Sequence, residues 1–323
     1  MREYEVLVDI EVADALHRPA EVLVLKHAQE LYGVDLMVAR KLGITPQILP
    51  AIGNHLLVDG APVIGARRVL FLGVQPLGLF DYEGIREFAQ RALIVSTLAT
   101  PEVREICLTL HGVGFGLDEA EAFEAELAGL FEAISKGGSP RNLERITFIE
   151  LDPRRAERLS HLLVRLIPNR KITSGRANSQ PASNRQPAVN NPGERASAAK
   201  DHAFIAMPFS DAFDDLFHYG MAPAIRSAGL LCERMDKIKF TGDIVVQMKN
   251  RIGDARFMVA DLSGTNPNVY LEVGYAWGRG VPTILVCDAD TKLEFDVRSH
   301  KCIRYTSIRD LESKLRAEID HLL

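Results

Sequence analysis

Between Asn169 and Lys200 the chain loses the means to build a core. Its only large aliphatic residues there are Ile172 and Val189, and the rest is mostly Asn, Ser, Gln, Pro, Ala, Gly and Arg. Such a stretch buries too little apolar surface to offset the entropy of ordering it, so it reads as a flexible linker. It divides the 323 residues into two pieces, 1–168 and 201–323, each of ordinary domain size. The linker is also basic, with Arg170, Lys171, Arg176, Arg185, Arg195 and Lys200 against Glu194 alone. It serves either as a solvated tether or as a strap for an acidic surface or anionic partner.

Either side of it the composition is that of globular protein, 47% hydrophobic and 25% charged, enough for a core in each piece. A formal net charge of -5 argues against a nucleic-acid-coating protein, because phosphate binding needs basic surface. Cys107, Cys232, Cys287 and Cys302 show no CxxC spacing. Three of them, Cys107, Cys287 and Cys302, lie in or beside apolar runs, so they read as buried thiols in a reducing compartment, with no metal site. Arg2, Glu3 and Glu5 follow Met1 where a signal segment would be apolar, and no apolar run approaches membrane-spanning length. The expectation is a cytoplasmic protein without a membrane partner.

Hydrophobic periodicity predicts alternating strands and helices in both pieces. In the first, strands fall at Glu5–Glu11, Ala20–Leu25, Arg68–Val74, Glu105–Leu110 and Arg145–Glu150. Helices are predicted at Leu31–Leu42, Tyr82–Leu98, Asp118–Ser135 and Pro153–Leu166. This alternation predicts a three-layer α/β domain. In the second piece, strands are expected at Ala203–Phe209, Leu230–Glu233, Arg256–Asp261, Pro282–Cys287 and Cys302–Tyr305. Helices are expected around Phe213–Ile225 (broken by Pro223), Gly242–Asp254, Val269–Arg279 and Ile308–Leu323. That order predicts a flavodoxin-like, doubly wound parallel sheet, whose ligands sit beyond the carboxyl ends of the strands.

The conspicuous segments of the second piece all fall at such ends. Met207-Pro208-Phe209 closes the first strand, and Asp261-Leu262-Ser263-Gly264 closes the third. Asn266-Pro267-Asn268 then leads into Tyr270-Leu271-Glu272-Val273-Gly274-Tyr275-Ala276. Asn268 is the expected N-cap, with Glu272 one turn later and Gly274 and Ala276 allowing close approach to the sheet. Two carboxylates, Asp261 and Glu272, would then share a crevice. One could stabilise or capture an oxocarbenium-like sugar while the other eases departure of its base. The plainer alternative makes Asp261 a loop cap and puts Glu272 on a solvated helix face.

Phe204-Ile205-Ala206-Met207-Pro208-Phe209, Phe240-Thr241-Gly242-Asp243-Ile244, Ala260-Asp261-Leu262-Ser263-Gly264 and Asn266 to Ala276 together resemble the nucleoside 2-deoxyribosyltransferase-like family, which overlaps with TIR-like domains. The resemblance implies that Glu272 is the sugar-facing catalytic carboxylate and that Asp261 helps hold the base or sugar. Met207, Pro208, Phe209, Asp236, Asp243, Ser263, Asn266, Asn268 and Tyr275 would line the substrate site. In the first piece, Val69–Gly73, the glycine-rich turn His111-Gly112-Val113-Gly114-Phe115-Gly116 and the helix after it resemble macro-like domains, including the amino-terminal domain of leucyl aminopeptidases. That resemblance implies a ligand loop at Gly112, Gly114 and Gly116, whose backbone amides would cradle a diphosphate.

The functional expectation is an N-glycosidase acting on NAD or a related nucleotide or nucleoside. It would need no cofactor, with NAD as substrate, and be regulated by nucleotide binding or by assembly as a homo-oligomer. An antiphage role is an extension of the TIR resemblance. A non-catalytic nucleotide-binding signalling module and a deoxyribosyltransferase are the alternatives.

Overall fold

The computed structural model describes residues 4–113, 116–174, 201–208, 210–235, 242–294 and 297–323. The chain forms two compact units, Met1–Gly112 with Glu119–Ala188, and Val113–Asp118 with Val189–Leu323. Both are α/β.

In the first unit, strands β1 (Glu5–Val12), β2 (Ala20–His27), β3 (His55–Asp59), β4 (Ala66–Gly73), β5 (Glu105–Leu108), β6 (Arg145–Glu150) and β7 (Lys171–Thr173) form a single sheet. Their order is β3-β4-β2-β5-β6-β1-β7. The inner pairings are parallel, and the two edge pairings, β3 with β4 and β1 with β7, are antiparallel. Val22 to His27 and Val69 to Gly73 are buried without alternation, as strands covered on both faces must be.

The covering helices are α1 (Gly33–Lys41), α2 (Tyr82–Ala99), α3 (Glu119–Ser135) and α4 (Pro153–Leu166). Asp81 caps α2 by accepting from the Gly84 amide. Asp152 caps α4, and Pro153 takes its first turn, where no N–H is needed. Helix α3 lies close on α2 because position 129 is glycine. A Cβ there would stand 2.2 Å from the Arg86 carbonyl oxygen.

Two elements of this unit depart from expectation. Strand β3 is an edge strand of intermediate exposure without a clean alternation, so its signal lies in its pairing to β4 rather than in its own pattern. Strand β7 falls inside the stretch assigned to the linker. Ile172 is buried, and Lys171–Thr173 pair with Glu5–Leu7, so the first unit runs on beyond residue 168. The remainder of that stretch, from 175 to 200, lies outside the described residues.

Among the described residues the second unit has five strands, β8 (His202–Ala206), β9 (Leu231–Glu233), β10 (Phe257–Asp261), β11 (Thr283–Asp288) and β12 (Cys302–Tyr305). All are parallel, in the order β12-β11-β10-β8-β9. This is the flavodoxin-like order. The chain leaves β8 first to one side and later to the other, so its switch point lies between β8 and β10.

Alternation along the strands builds two cores. Ala203, Ile205, Met207, Phe257 and Val259 face one side, with Phe217, Met221, Ile225, Leu311 and Leu315. Phe204, Ala206, Met258 and Ala260 face the other, with Met248, Ile252, Val269, Val273 and Ala276. Helices α5 (Asp211–Leu216), α6 (Ala222–Ser227) and α9 (Ile308–Leu322) belong to the first side, and α7 (Gly242–Asp254) and α8 (Pro267–Gly278) to the second.

Pro223 does not break the helix as expected. Residues Phe217–Met221 form a π turn between α5 and α6, and the proline enters in the first turn of α6. The wider turn accommodates a residue that has no N–H to give and whose ring would clash with a regular preceding turn. On the outer side of the edge strand β12, the Lys314 ammonium donates to the Arg304 carbonyl at 2.8 Å. No helix among the described residues is long and apolar enough to cross a membrane.

Candidate active site

Helix α8 positions the central residue. Its N-cap is Asn266, not Asn268: the Asn266 side chain accepts from the Asn268 amide, and Pro267 occupies the first turn. Proline there costs no hydrogen bond, which makes Asn266-Pro267 the stronger helix start. From that start, Val269, Glu272, Val273 and Ala276 form the buried stripe, and α8 packs against β8, β10 and β11. Glu272 thus lies on the sheet-facing side of α8, with 7% of its surface exposed. The solvated-face alternative does not hold. Gly274, expected to let the helix approach the sheet, is on the exposed side with nothing near its Cβ position, and Ala276 makes the close approach.

Glu272 receives no hydrogen bond and forms no ion pair among the described residues. Burial alone pushes its carboxyl up to about 7. A carboxylate in an apolar stripe, without a donor, is disfavoured unless something else brings the compensating charge.

Asp261, at the end of β10, is fully buried and has a donor on each oxygen. One oxygen accepts from the Ser263 amide at 2.9 Å, and the other accepts from the Tyr305 hydroxyl at 2.9 Å. Ser263 Oγ lies 3.2 Å from that hydroxyl and accepts from the Asp288 amide at 2.8 Å. Burial raises the Asp261 carboxyl, against the pull of its donors. The carboxyl ends of β10, β11 and β12 are thereby tied together. Asp261 and Glu272 share no hydrogen bond.

The other expected lining residues divide. Met207 is 1% exposed and sits in the core, because odd positions of β8 continue their inward alternation past the strand end, so it is no lining residue. Pro208 is half-buried after it, and Phe209 and Asp236 lie outside the described residues. Asp243 is the second residue of α7. Ser263 is buried in the Asp261 network, Asn266 caps α8, Asn268 is exposed, and Tyr275 is half-buried with the Lys249 ammonium 5.8 Å from its ring centre.

Two polar arrangements near the strand ends were not expected. Tyr305 is the donor to Asp261. Arg234, just after β9, reaches Asp214 at 3.2 Å, approaches the Met207 sulfur at 3.6 Å and lies over the Phe217 ring at 4.2 Å.

In the first unit, Gly112 follows the carboxyl end of β5 at φ +82°, a conformation that favours glycine. Gly114 lies outside the described residues, and Gly116, also at positive φ, is grouped with the second unit. At the same carboxyl ends of β2 and β5 lie two buried pairs. Lys26 Nζ meets Asp35 at 2.6 Å, and His111 Nδ1 lies 3.1 Å from Glu126.

No protein-family model matches the chain, and no curated protein matches it. Among solved structures it is similar to a mutant macrodomain of Oceanobacillus iheyensis. That likeness has a TM-score of 0.42 and 14% identity, covering 52% of this chain and 99% of that one. A Trypanosoma brucei macrodomain in complex with ADP-ribose follows at a TM-score of 0.36 and 18% identity, covering 49% of this chain and 74% of that one. A Clostridium botulinum CMP N-glycosidase matches at a TM-score of 0.30 and 15% identity, covering 36% of this chain and 98% of that one. At similarities this low, the chemistry of this chain rests on its own residues.

Proposed function

We propose that the second unit cleaves the N-glycosidic bond of a nucleotide or nucleoside, with Glu272 as the carboxylate that meets the sugar. The observation that carries this reading is a nine-tenths-buried carboxylate on the sheet-facing side of α8, with no donor among the described residues. As the base departs with the bonding electrons, positive charge spreads over the anomeric carbon and ring oxygen. A preplaced negative group in a poorly solvated site stabilises that charge strongly, or captures it as a glycosyl ester that water then opens.

Asp261 enters this chemistry as a positioning residue. Both its oxygens are engaged and none of its surface is exposed, so it holds the loop from Leu262 to Asn266 rather than protonating a leaving base. Without a second acid, the favoured substrate is one whose base leaves unaided. A pyridinium base, as in NAD, departs as a neutral molecule and fits that requirement. The first unit is read alongside as a nucleotide-binding part, on the strength of Gly112 and the buried polar pairs at the carboxyl ends of its central strands.

The test is to incubate the purified full chain with NAD and a panel of nucleosides and nucleotides, and to follow free base by chromatography. Release of nicotinamide ahead of purines and pyrimidines is the expected result. If no base is released from any of them, the glycosidase reading fails.

A further inference from the structure

The thiols of Cys287 and Cys302 lie with their sulfurs 3.4 Å apart on the neighbouring strands β11 and β12. The strand register explains the meeting. Cys302 stands opposite Leu285, and Cys287 is two residues further along, so both side chains leave the same face of the sheet as diagonal neighbours. We propose that this pair is an oxidative modification site, closed to a disulfide by a hydroperoxide.

The geometry asks for little. A disulfide needs about 2.05 Å between sulfurs, so the pair must close by about 1.4 Å. Among the described residues strand β12 is at the edge of the sheet and pairs with β11 alone, so it can make that move without disturbing a second ladder. Cys302 is half-buried and Cys287 fully buried, which makes Cys302 the thiol a small oxidant reaches first and Cys287 the resolving one.

In the first step the Cys302 thiolate attacks a peroxide oxygen. An S–O bond forms, the O–O bond breaks, and hydroxide leaves as water after taking a proton. The Cys287 sulfur then attacks the resulting sulfenic sulfur. An S–S bond forms, the S–O bond breaks, and a second water leaves with the Cys287 proton. In sum, two thiols and one hydrogen peroxide give one disulfide and two waters. Burial pushes the Cys302 thiol up to about 12, so the first step is slow near neutrality and gains roughly tenfold per pH unit. The link would join the strands that carry Asp288 and Tyr305, and thus brace the Asp261 network.

The experiment treats the intact chain with hydrogen peroxide in mildly alkaline buffer, then counts thiols after unfolding and maps peptides without reduction. The expected result is a fall from four thiols to two, and one new linked species joining the Cys287 and Cys302 peptides. Dithiothreitol should restore all four. In C302S, and separately in C287A, the linked species should be absent. Four thiols surviving excess peroxide would overturn the proposal. So would conversion of Cys302 to sulfinic acid while Cys287 stays a thiol, or a link involving Cys107 or Cys232.

Discussion

The two units differ in how fully their buried carboxylates are matched. In the first, Asp35 is matched by Lys26, Glu126 by His111, and Glu119 by Arg155 and Arg158. In the second, Glu233 is matched by Arg251 at 2.5 Å, Asp261 by neutral donors, and Glu272 by none among the described residues. A buried charge with a partner holds elements together. A buried charge without one weakens the fold, and its retention makes sense when a ligand brings the partner. The first unit gives each of these buried acids a basic partner, and in the second Glu272 stands without one among the described residues.

The sharpest way to break the comparison is Glu272→Gln. Turnover should fall by at least on the order of 10³-fold, because the amide keeps the shape and loses the charge. Base release measured at saturating substrate decides it; a variant within a few-fold of wild type removes Glu272 from the reaction.

Next in size is Lys26→Met, which leaves Asp35 buried without its cation. Denaturant unfolding should show a loss of about 3–5 kcal/mol, and adding Asp35→Leu should recover most of it. A harmless single substitution would mean that the pair in the first unit is not structural.

The pH dependence of stability separates the units further. The Glu272 carboxyl is raised from 4.5 to about 7 in the fold, so between those values the folded state holds a proton that the unfolded chain has released. Stability from this group is therefore full below about pH 4.5 and falls as pH rises toward 7, by about 3 kcal/mol. Subtracting the Glu272→Gln profile from wild type should isolate that slope. A flat difference would show that the carboxyl is not held in an unfavourable setting.

The smallest expected effect is Tyr305→Phe. It removes one donor from Asp261 and should cost about 1–3 kcal/mol in thermal or chemical unfolding. A larger loss of turnover than of stability would show that the Asp261 network aligns the site as well as holding it.

The sequence carried most of the architecture because the buried strands and helices have strong periods of their own. Strands β8 and β10 and helices α7 and α9 fall within a residue or a few of their predicted limits. What it did not carry were features whose cause is a partner. Strands β3 and β7 exist through pairing to β4 and β1. The cap at Asn266 rather than Asn268 is decided by which side chain reaches a free amide, although Pro267 was a legible clue. Glu272 was picked out by its motif, yet a second signal was present: it falls between Val269 and Val273 in a stripe that is otherwise apolar. Tyr305 had no such mark, since its tie to Asp261 depends on β12 lying two strands away from β10 in the same sheet.

The lysine at position 314 has a consequence for how copies of this protein behave in crowded solution. An unblocked edge strand is a template on which a foreign strand can grow, and a five-stranded parallel sheet has two such edges. By holding the Arg304 carbonyl, Lys314 withdraws one of the acceptors a newcomer would need and puts a charge where the newcomer's backbone would lie. The same ammonium is anchored by Asp310 at 2.8 Å, so the guard is kept in place by its own helix. The sheet ends there by chemistry rather than for want of further strands.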